Sequence, residues 1–282
     1  MNTIVTCIDG SAISEDVCRA AAWVSQRVQA PLKLLHILEK ETTQQESLSG
    51  NLVFGAREQL LKQMTELDEA RAKLAIEHGK QLLDGAAHLA AECGAVDVEQ
   101  QQRHGTVVDT LMELQDDMRV LVLGRQGEAH QSLDHALGSN LEALIRGIHR
   151  PILVTVPGFK IPSSFMVAYD GSDNSEKALQ AYANSPLLAG LPCHLVMVGH
   201  KDTLHETQFH AAAQYLQQQG FDVTSAHLEG DVQPTLAAYQ RQHGIDLMVM
   251  GAYGHSRIRQ FFVGSNTRKM VSQSDIPLLL LR

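Results

Sequence analysis

Cysteine is scarce: Cys7, Cys18, Cys93 and Cys193 are the only four in 282 residues, and they form neither a C-x-x-C pair nor a regular framework. That excludes a disulfide scaffold and the common redox motif. Cys7 lies in an apolar, strand-like run and Cys18 on a helical stretch, so buried free thiols in a reducing compartment are expected. Long apolar runs are also missing, and none approaches the roughly 18 uninterrupted residues that a membrane-spanning helix needs. The start, MNTIVTCIDG, lacks the basic region and apolar core of a secretory leader, so the expected location is cytoplasmic. Positive charge is in deficit, with 23 Lys and Arg against 32 Asp and Glu, a formal net charge of −9. The balance argues against nucleic acid or an anionic membrane as the main partner. No G-K-[ST] is present, no G-x-G-x-x-G follows a strand, and no S-G-G-x-D-S stands at a first turn. Nor does any Ser/His/Asp set, Cys/His set or acid–base pair stand out, so the usual grounds for a phosphotransferase, a dinucleotide enzyme or an adenylating ligase are absent.

What is present is a repeat. Ile4–Ser11 reads IVTCIDGS and Phe165–Ser172 reads FMVAYDGS, an offset of 161 that carries on through Pro31–Ile37 against Pro192–Val198. Further on the offset falls to about 126: Gly138-Ser139 matches Gly264-Ser265, and Pro151–Val156 matches Pro277–Arg282. The first half therefore holds roughly 35 extra residues between its second and fourth strands. Two homologous domains, 1–157 and 158–282, follow, and an apolar content of 44% lets each bury a core.

Each half alternates strand and helix. The first reads as strand 2–8, a helix capped by Ser14 with Val17, Ala21, Val24 and Val28 on one face, strand 32–38 and a polar loop 39–49. A long helix over 58–93 follows within the extra segment of about 40–93, carrying Leu60, Leu61, Met64, Leu67 and Leu74. Its charged stretch 66–77 reads as an exposed face. Strand 96–101, helix 107–114, strand 120–123, helix 140–148 and strand 152–156 complete the half. The second half repeats the order as strand 166–169, helix 175–188 (disturbed by Pro186), strand 194–198, helix 206–219, strand 222–227, helix 234–243, strand 247–250, helix 266–272 and strand 277–281. Such alternation predicts α/β domains with mostly parallel five-stranded open sheets. Ligands then belong at the strand carboxyl ends, where Asp170, Val198 and Gly251 fall.

Near the C-terminus an apolar run ends in Gly251, Gly254 follows, and after nine residues Gly264-Ser265 opens a helix at Asn266. A strand, a bare turn and a helix N-terminus present backbone N–H groups and a positive dipole end to an anion. The pattern G-x2-G-x9-G-S resembles the nucleotide-binding signature of the universal stress protein family, and the resemblance extends over nearly the whole chain as a tandem pair. It implies two Rossmann-like domains of the adenine nucleotide alpha hydrolase-like type. It further implies ATP, ADP or AMP as ligand, with Mg accompanying the nucleotide. By the same resemblance Ala168 and Asp170 contact the adenosine, Val198 offers backbone to the adenine edge, and Met250 and Gly251 lie under ribose and phosphates. Gly254, Arg257, Gly264, Ser265 and Asn266 hold the phosphates. The matching positions of the first half are Asp9, Ile37, Gly124, Gly127, Gly138 and Ser139. The family also implies that the two halves pack as a pseudo-twofold pair through their last strands, with a further homodimer left open.

The two copies differ in charge. The first spacer has ten residues and carries Glu128 and Asp134, whereas the second has nine and carries Arg257 and Arg259. At 8–10 Å and an effective dielectric near 20, each unit pair is worth on the order of 1–2 kcal/mol before screening. Nucleotide is therefore expected mainly in the second half, with Arg125 offsetting part of the difference in the first. His200, Asp202, His205 and His210 cluster in sequence, but spacings of five do not stack on one helix face, so solvated histidines are expected there in preference to zinc ligands. The expected function is a cytoplasmic, ATP-binding stress-response protein that acts by nucleotide-dependent association. A slow ATP hydrolase and a scaffold that binds no nucleotide are the alternatives.

Overall fold

Strands and helices alternate along the computed structural model, which describes residues 3–39, 54–125, 139–200, 203–251 and 265–281. In the first half β1 (Thr3–Cys7), α1 (Ser14–Val28), β2 (Pro31–Leu38), α2 (Phe54–Glu92) and β3 (Val96–His104) come first. They are followed by α3 (Val107–Glu113), β4 (Met118–Gly124), α4 (Ser139–Gly147) and β5 (Ile152–Thr155). The second half runs β6 (Phe165–Tyr169), α5 (Asp173–Ala183), β7 (Cys193–Val198), α6 (Thr203–Gln218) and β8 (Val223–Leu228). It ends with α7 (Val232–His243), β9 (Leu247–Gly251), α8 (Ser265–Gln273) and β10 (Leu278–Leu281). The β-branched and leucine runs become strands because both of their faces find cover, which is why they read as continuous apolar stretches.

The strands join in one ten-stranded sheet, ordered β3-β2-β1-β4-β5-β10-β9-β6-β7-β8. Within each half all pairs are parallel, and the halves meet where β5 pairs antiparallel with β10, Leu279 opposite Leu153. Strand order reverses between β1 and β4, and again between β6 and β9, so each half has one switch point. Two apolar layers cover the sheet, and each runs through both halves. Trp23, Leu153, Phe165 and Leu279 belong to one layer, and Leu121, Val154, Met248 and Leu280 to the other.

Several boundaries differ from the sequence expectation. Ser14 does not cap α1: the N-cap is Ile13, without a side-chain bond, because the Ser14 hydroxyl donates to Asp9 Oδ1 at 3.0 Å. Helix α5 starts earlier and ends at Ala183, before Pro186, whose ring disfavours helical backbone in the residue preceding it. Strand β3 runs on to His104 because β2 offers a ladder as far as Leu38, so Gln102, Arg103 and His104 pair despite their polarity. Much of the extra first-half segment is helix, since α2 has 39 residues and its counterpart α6 has 16. The polar stretch 40–49 lies outside the described residues.

The crossing between halves is clamped. Asp16 on α1 accepts from the backbone N–H groups of Gly158 and Phe159, both at 2.9 Å, and the Phe159 ring lies 6.2 Å from Trp23. Asp246 accepts from the N–H and hydroxyl of Ser163 at 2.9 and 2.6 Å. Asp16→Ala should cost about 1–3 kcal/mol and lower Tm by about 2–8 °C, since backbone donors lose a charged acceptor. A melt unchanged within about 1 °C would show that the clamp does not hold the crossing. Leu279→Ala, at the centre of the seam, should cost about 2–5 kcal/mol, read by denaturant unfolding. Both halves should still lose structure in one transition, and two separated transitions would contradict a shared core.

Candidate functional site

The switch point of the second half opens into a cavity of about 110 Å³ at the carboxyl ends of β6, β7 and β9. Ala168 in β6 and Asp170 just past it border the cavity, with Val198 from β7 and Met250 and Gly251 from β9. These five residues, named separately along the sequence, therefore share one wall. Ser265 and Asn266 open α8, and Met270 on the same helix reaches the cavity. Gly254, Arg257 and Gly264 lie outside the described residues, as do the side chains of Ser265 and Asn266.

The interior is mainly apolar, built by Val196, Val198, Leu236, Met250 and Met270, while Asp170 stands exposed beside it. Asp170 Oδ1 accepts from the backbone N–H of Ser172 at 3.0 Å and from its hydroxyl at 2.6 Å. One carboxylate oxygen is thus tied into the turn, which fixes where the other is held. Tyr169 borders the same space, and its hydroxyl donates to the Glu176 carboxylate. Burial, with Glu176 adding, pushes that phenol well above its ordinary range, so it stays neutral. Gly251 has a local reason to be bare: a Cβ there would stand 3.2 Å from the Asn174 carbonyl, at the head of α5. The glycine lets α5 close on β9.

Some lining residues carried no motif. Ser172, Asn174 and Ser175 sit just past the first strand of the half, and the rule that ligands bind at strand carboxyl ends would have found them. Val232 and Leu236 on α7 could not be found that way, because only the crossover brings that helix over β7 and β9.

In the first half the matching residues have other engagements. Asp9 Oδ1 accepts from the N–H and hydroxyl of Ser11 at 3.0 and 2.6 Å and from the Ser14 hydroxyl at 3.0 Å. Ile37 lies in β2 and Gly124 ends β4; Gly127 and Gly138 lie outside the described residues, as does the side chain of Ser139. Leu82 of α2 crowds the turn, 3.2 Å from where a Gly10 Cβ would stand. At the head of α3 the Val107 N–H donates to the Glu39 carboxylate at 3.2 Å, placing an acid where α7 borders the cavity of the other half. Arg125 is also committed, since its guanidinium donates to the Ser274 carbonyl at 2.6 Å, just past the end of α8. Burial lowers its pKa, against an opposing pull from Asp275.

Among the described residues no group of three His, Cys, Asp or Glu is placed to hold a metal, and Asp202 lies outside them. All four cysteines are free, and burial pushes the Cys7, Cys18 and Cys193 thiols up to about 12, with Asp9 adding to the shift at Cys7.

The comparisons with known proteins agree with this architecture. The family model described as the universal stress protein family matches residues 1–156 and again 163–282. A universal stress protein of Synechocystis sp. is 34% identical over the full length of both chains. The fold is shared with a universal stress protein of Archaeoglobus fulgidus, at a TM-score of 0.74 and 15% identity, covering 100% of this chain and 98% of that one. A putative universal stress protein of Pseudomonas aeruginosa follows at 0.61 and 14%, covering 100% and 93%. Two matches to one family model, a full-length relative and a sheet that repeats its own strand order together make this chain a tandem member of the universal stress protein family.

Proposed function

We propose that the chain binds an adenine nucleotide in its second half and acts through nucleotide-dependent association. The observation that carries the reading is the convergence of Ala168, Asp170, Val198, Met250 and Gly251 on one cavity at a switch point. An apolar slot between Val196, Leu236 and Met270 suits a purine, and the carboxylate of Asp170 suits ribose hydroxyls. The backbone at Gly251 and the head of α8 suit phosphates, as bare turns and helix N-termini do. Magnesium enters only as the counter-ion of those phosphates. The functional division follows residues 1–157 and 158–282, and the β5–β10 seam serves within one chain as the dimer contact of single-domain relatives would. Free thiols suit a reducing cytoplasm.

Mass spectrometry of small molecules released on denaturing the purified protein should find adenine nucleotide, and none at all would leave the scaffold reading. Calorimetry with ATP, ADP and AMP should give one dominant site per chain. Two equal sites would overturn the preference for the second half. Asp170→Ala should weaken binding about tenfold, as expected for one charge-assisted bond, while Asp9→Ala should leave it unchanged. The reverse ranking would move the site to the first half. Phosphate release should be equal in wild type and Gly264→Val, because the reading assigns no turnover. Release that falls with the variant would establish a hydrolase instead. Gly251→Val should lower Tm along with affinity, since its side chain meets the α5 backbone.

A further inference from the structure

Helix α2 changes character at Gly79. Beyond that point it belongs to the body: Leu83 and Ala90 are buried, and a Cβ on Gly79 would overlap His36 and Gln102. Before it, every position from 62 to 78 is exposed, about 25 Å of helix at 1.5 Å per residue. A bond at its base, from the Gln102 side chain to the Ile76 carbonyl at 3.3 Å, ties this length to the sheet edge.

The exposed length is not polar all round. Met64, Leu67 and Leu74 are 42%, 52% and 70% exposed. With Arg71 and His78 they occupy positions 64, 67, 71, 74 and 78, stepping alternately by three and four residues. That spacing forms the narrow seam of a two-helix coil, with Arg71 as the polar residue between the apolar ones to set register and His78 at its end. Helices in proteins draw most of their stability from packing, and large apolar side chains on an exposed face call for a partner.

Charge order identifies the partner. About the midpoint between Glu69 and Ala70, Lys62 mirrors Glu77, Glu66 mirrors Lys73, and Asp68 mirrors Arg71. An antiparallel copy therefore meets the opposite sign at each of these levels, and a parallel copy in register meets its own sign. Lys62, Arg71 and Lys73 nearly balance Glu66, Asp68, Glu69 and Glu77, so a strongly charged partner would gain little. Asp68 and Arg71 border or enter the seam, where their signs set orientation. Lys62, Glu66 and Lys73 lie toward the far side and act more weakly through solvent, and Glu77, although it borders the seam, mirrors the distant Lys62.

We propose that the exposed part of α2, Lys62 to His78, pairs antiparallel with the same segment of a second copy of this chain. Met64 then lies beside the partner's Leu74. Leu67 is covered by the aliphatic stem of the partner's Arg71, whose guanidinium reaches back to Asp68. The surface is independent of the nucleotide reading, because the second-half cavity contributes nothing to it.

Sedimentation equilibrium of the full chain over about 1–100 µM should show a dimer, and a wild type that stays monomeric throughout would overturn the proposal. Leu67→Glu with Leu74→Glu should give a monomer with an unchanged circular dichroism melt of the body, since both side chains are exposed. A dimer that survives this change would place the contact elsewhere. Asp68→Arg alone and Arg71→Asp alone should each weaken self-association about tenfold or more, because each sets like charges across the seam twice. Mixing the two variants in equal amounts should restore dimers by pairing opposite signs again. If the mixture stays as monomeric as its components, the antiparallel pairing is wrong.

Discussion

Three residue pairs hold the molecule in one piece: Leu278 with Val154, Leu279 with Leu153, and Leu280 with Ile152. Without them each half would end in a short, mostly apolar strand with an open edge, which invites uncontrolled pairing. Joined antiparallel, both edges become interior, and the apolar layers above and below the sheet run on from one half to the other. The seam also sets the spacing of the clefts, because β4 and β9 lie next to β5 and β10 and carry Gly124 and Gly251 at their ends. Arg125, one residue past β4, can therefore reach the carbonyl that follows α8. A cation at that end of a helix satisfies an orphan acceptor and suits the dipole, so a residue of one half supports the helix that heads the other's cleft.

Much of this was legible in the chain. Strands such as 166–169 and 247–250 came within one residue of the observed bounds, because a strand covered on both faces leaves an uninterrupted apolar run. Where the expectation slipped, nonlocal forces decided. β3 extends through Gln102 to His104 only because β2 lies alongside, and no periodicity within that stretch announces it. Ser14 has the right chemistry for a cap, yet a carboxylate five residues earlier competes for its hydroxyl and wins, since a charged acceptor outranks a backbone donor. The single continuous sheet was implied only by the family's habit of pairing its last strands, and the apolar residues of β10 do not themselves choose a partner.

The candidate site divides in the same way. Residues at strand ends were found because turn glycines and acids punctuate the apolar runs there, and Asp170, Val198 and Gly251 do line one cavity. Residues contributed by a crossover were not, since Val232 and Leu236 look like any amphipathic helix until α7 is laid over β7 and β9. The reason for Gly251 was half visible. Bareness was assigned to an approaching ligand, while its immediate neighbour is the Asn174 carbonyl at the start of α5.

Comparison of the two copies then shows how one fold takes two characters. Spacer charge set them apart in sequence, and the described residues add three local differences. Asp9 Oδ1 accepts three bonds within its own turn, whereas Asp170 Oδ1 accepts two. Glu39 brings a carboxylate to the head of α3, which adds negative charge where the second half has none of its own at the head of α7 but Asp231. Leu82 of the enlarged helix stands 3.2 Å from where a Gly10 Cβ would lie, and in the second half the polar Gln208 side chain stands 2.9 Å from the same place at Gly171, so the two turns differ in polarity and not in room. None of these alone would close a cleft; under the proposed reading the added bond to Asp9 and the carboxylate of Glu39 both disfavour nucleotide in the first half, and Leu82 makes its turn less polar. The same enlarged helix that packs on the Gly10 turn also extends beyond the body with exposed apolar side chains, so one insertion between β2 and β3 adds both features to the first half.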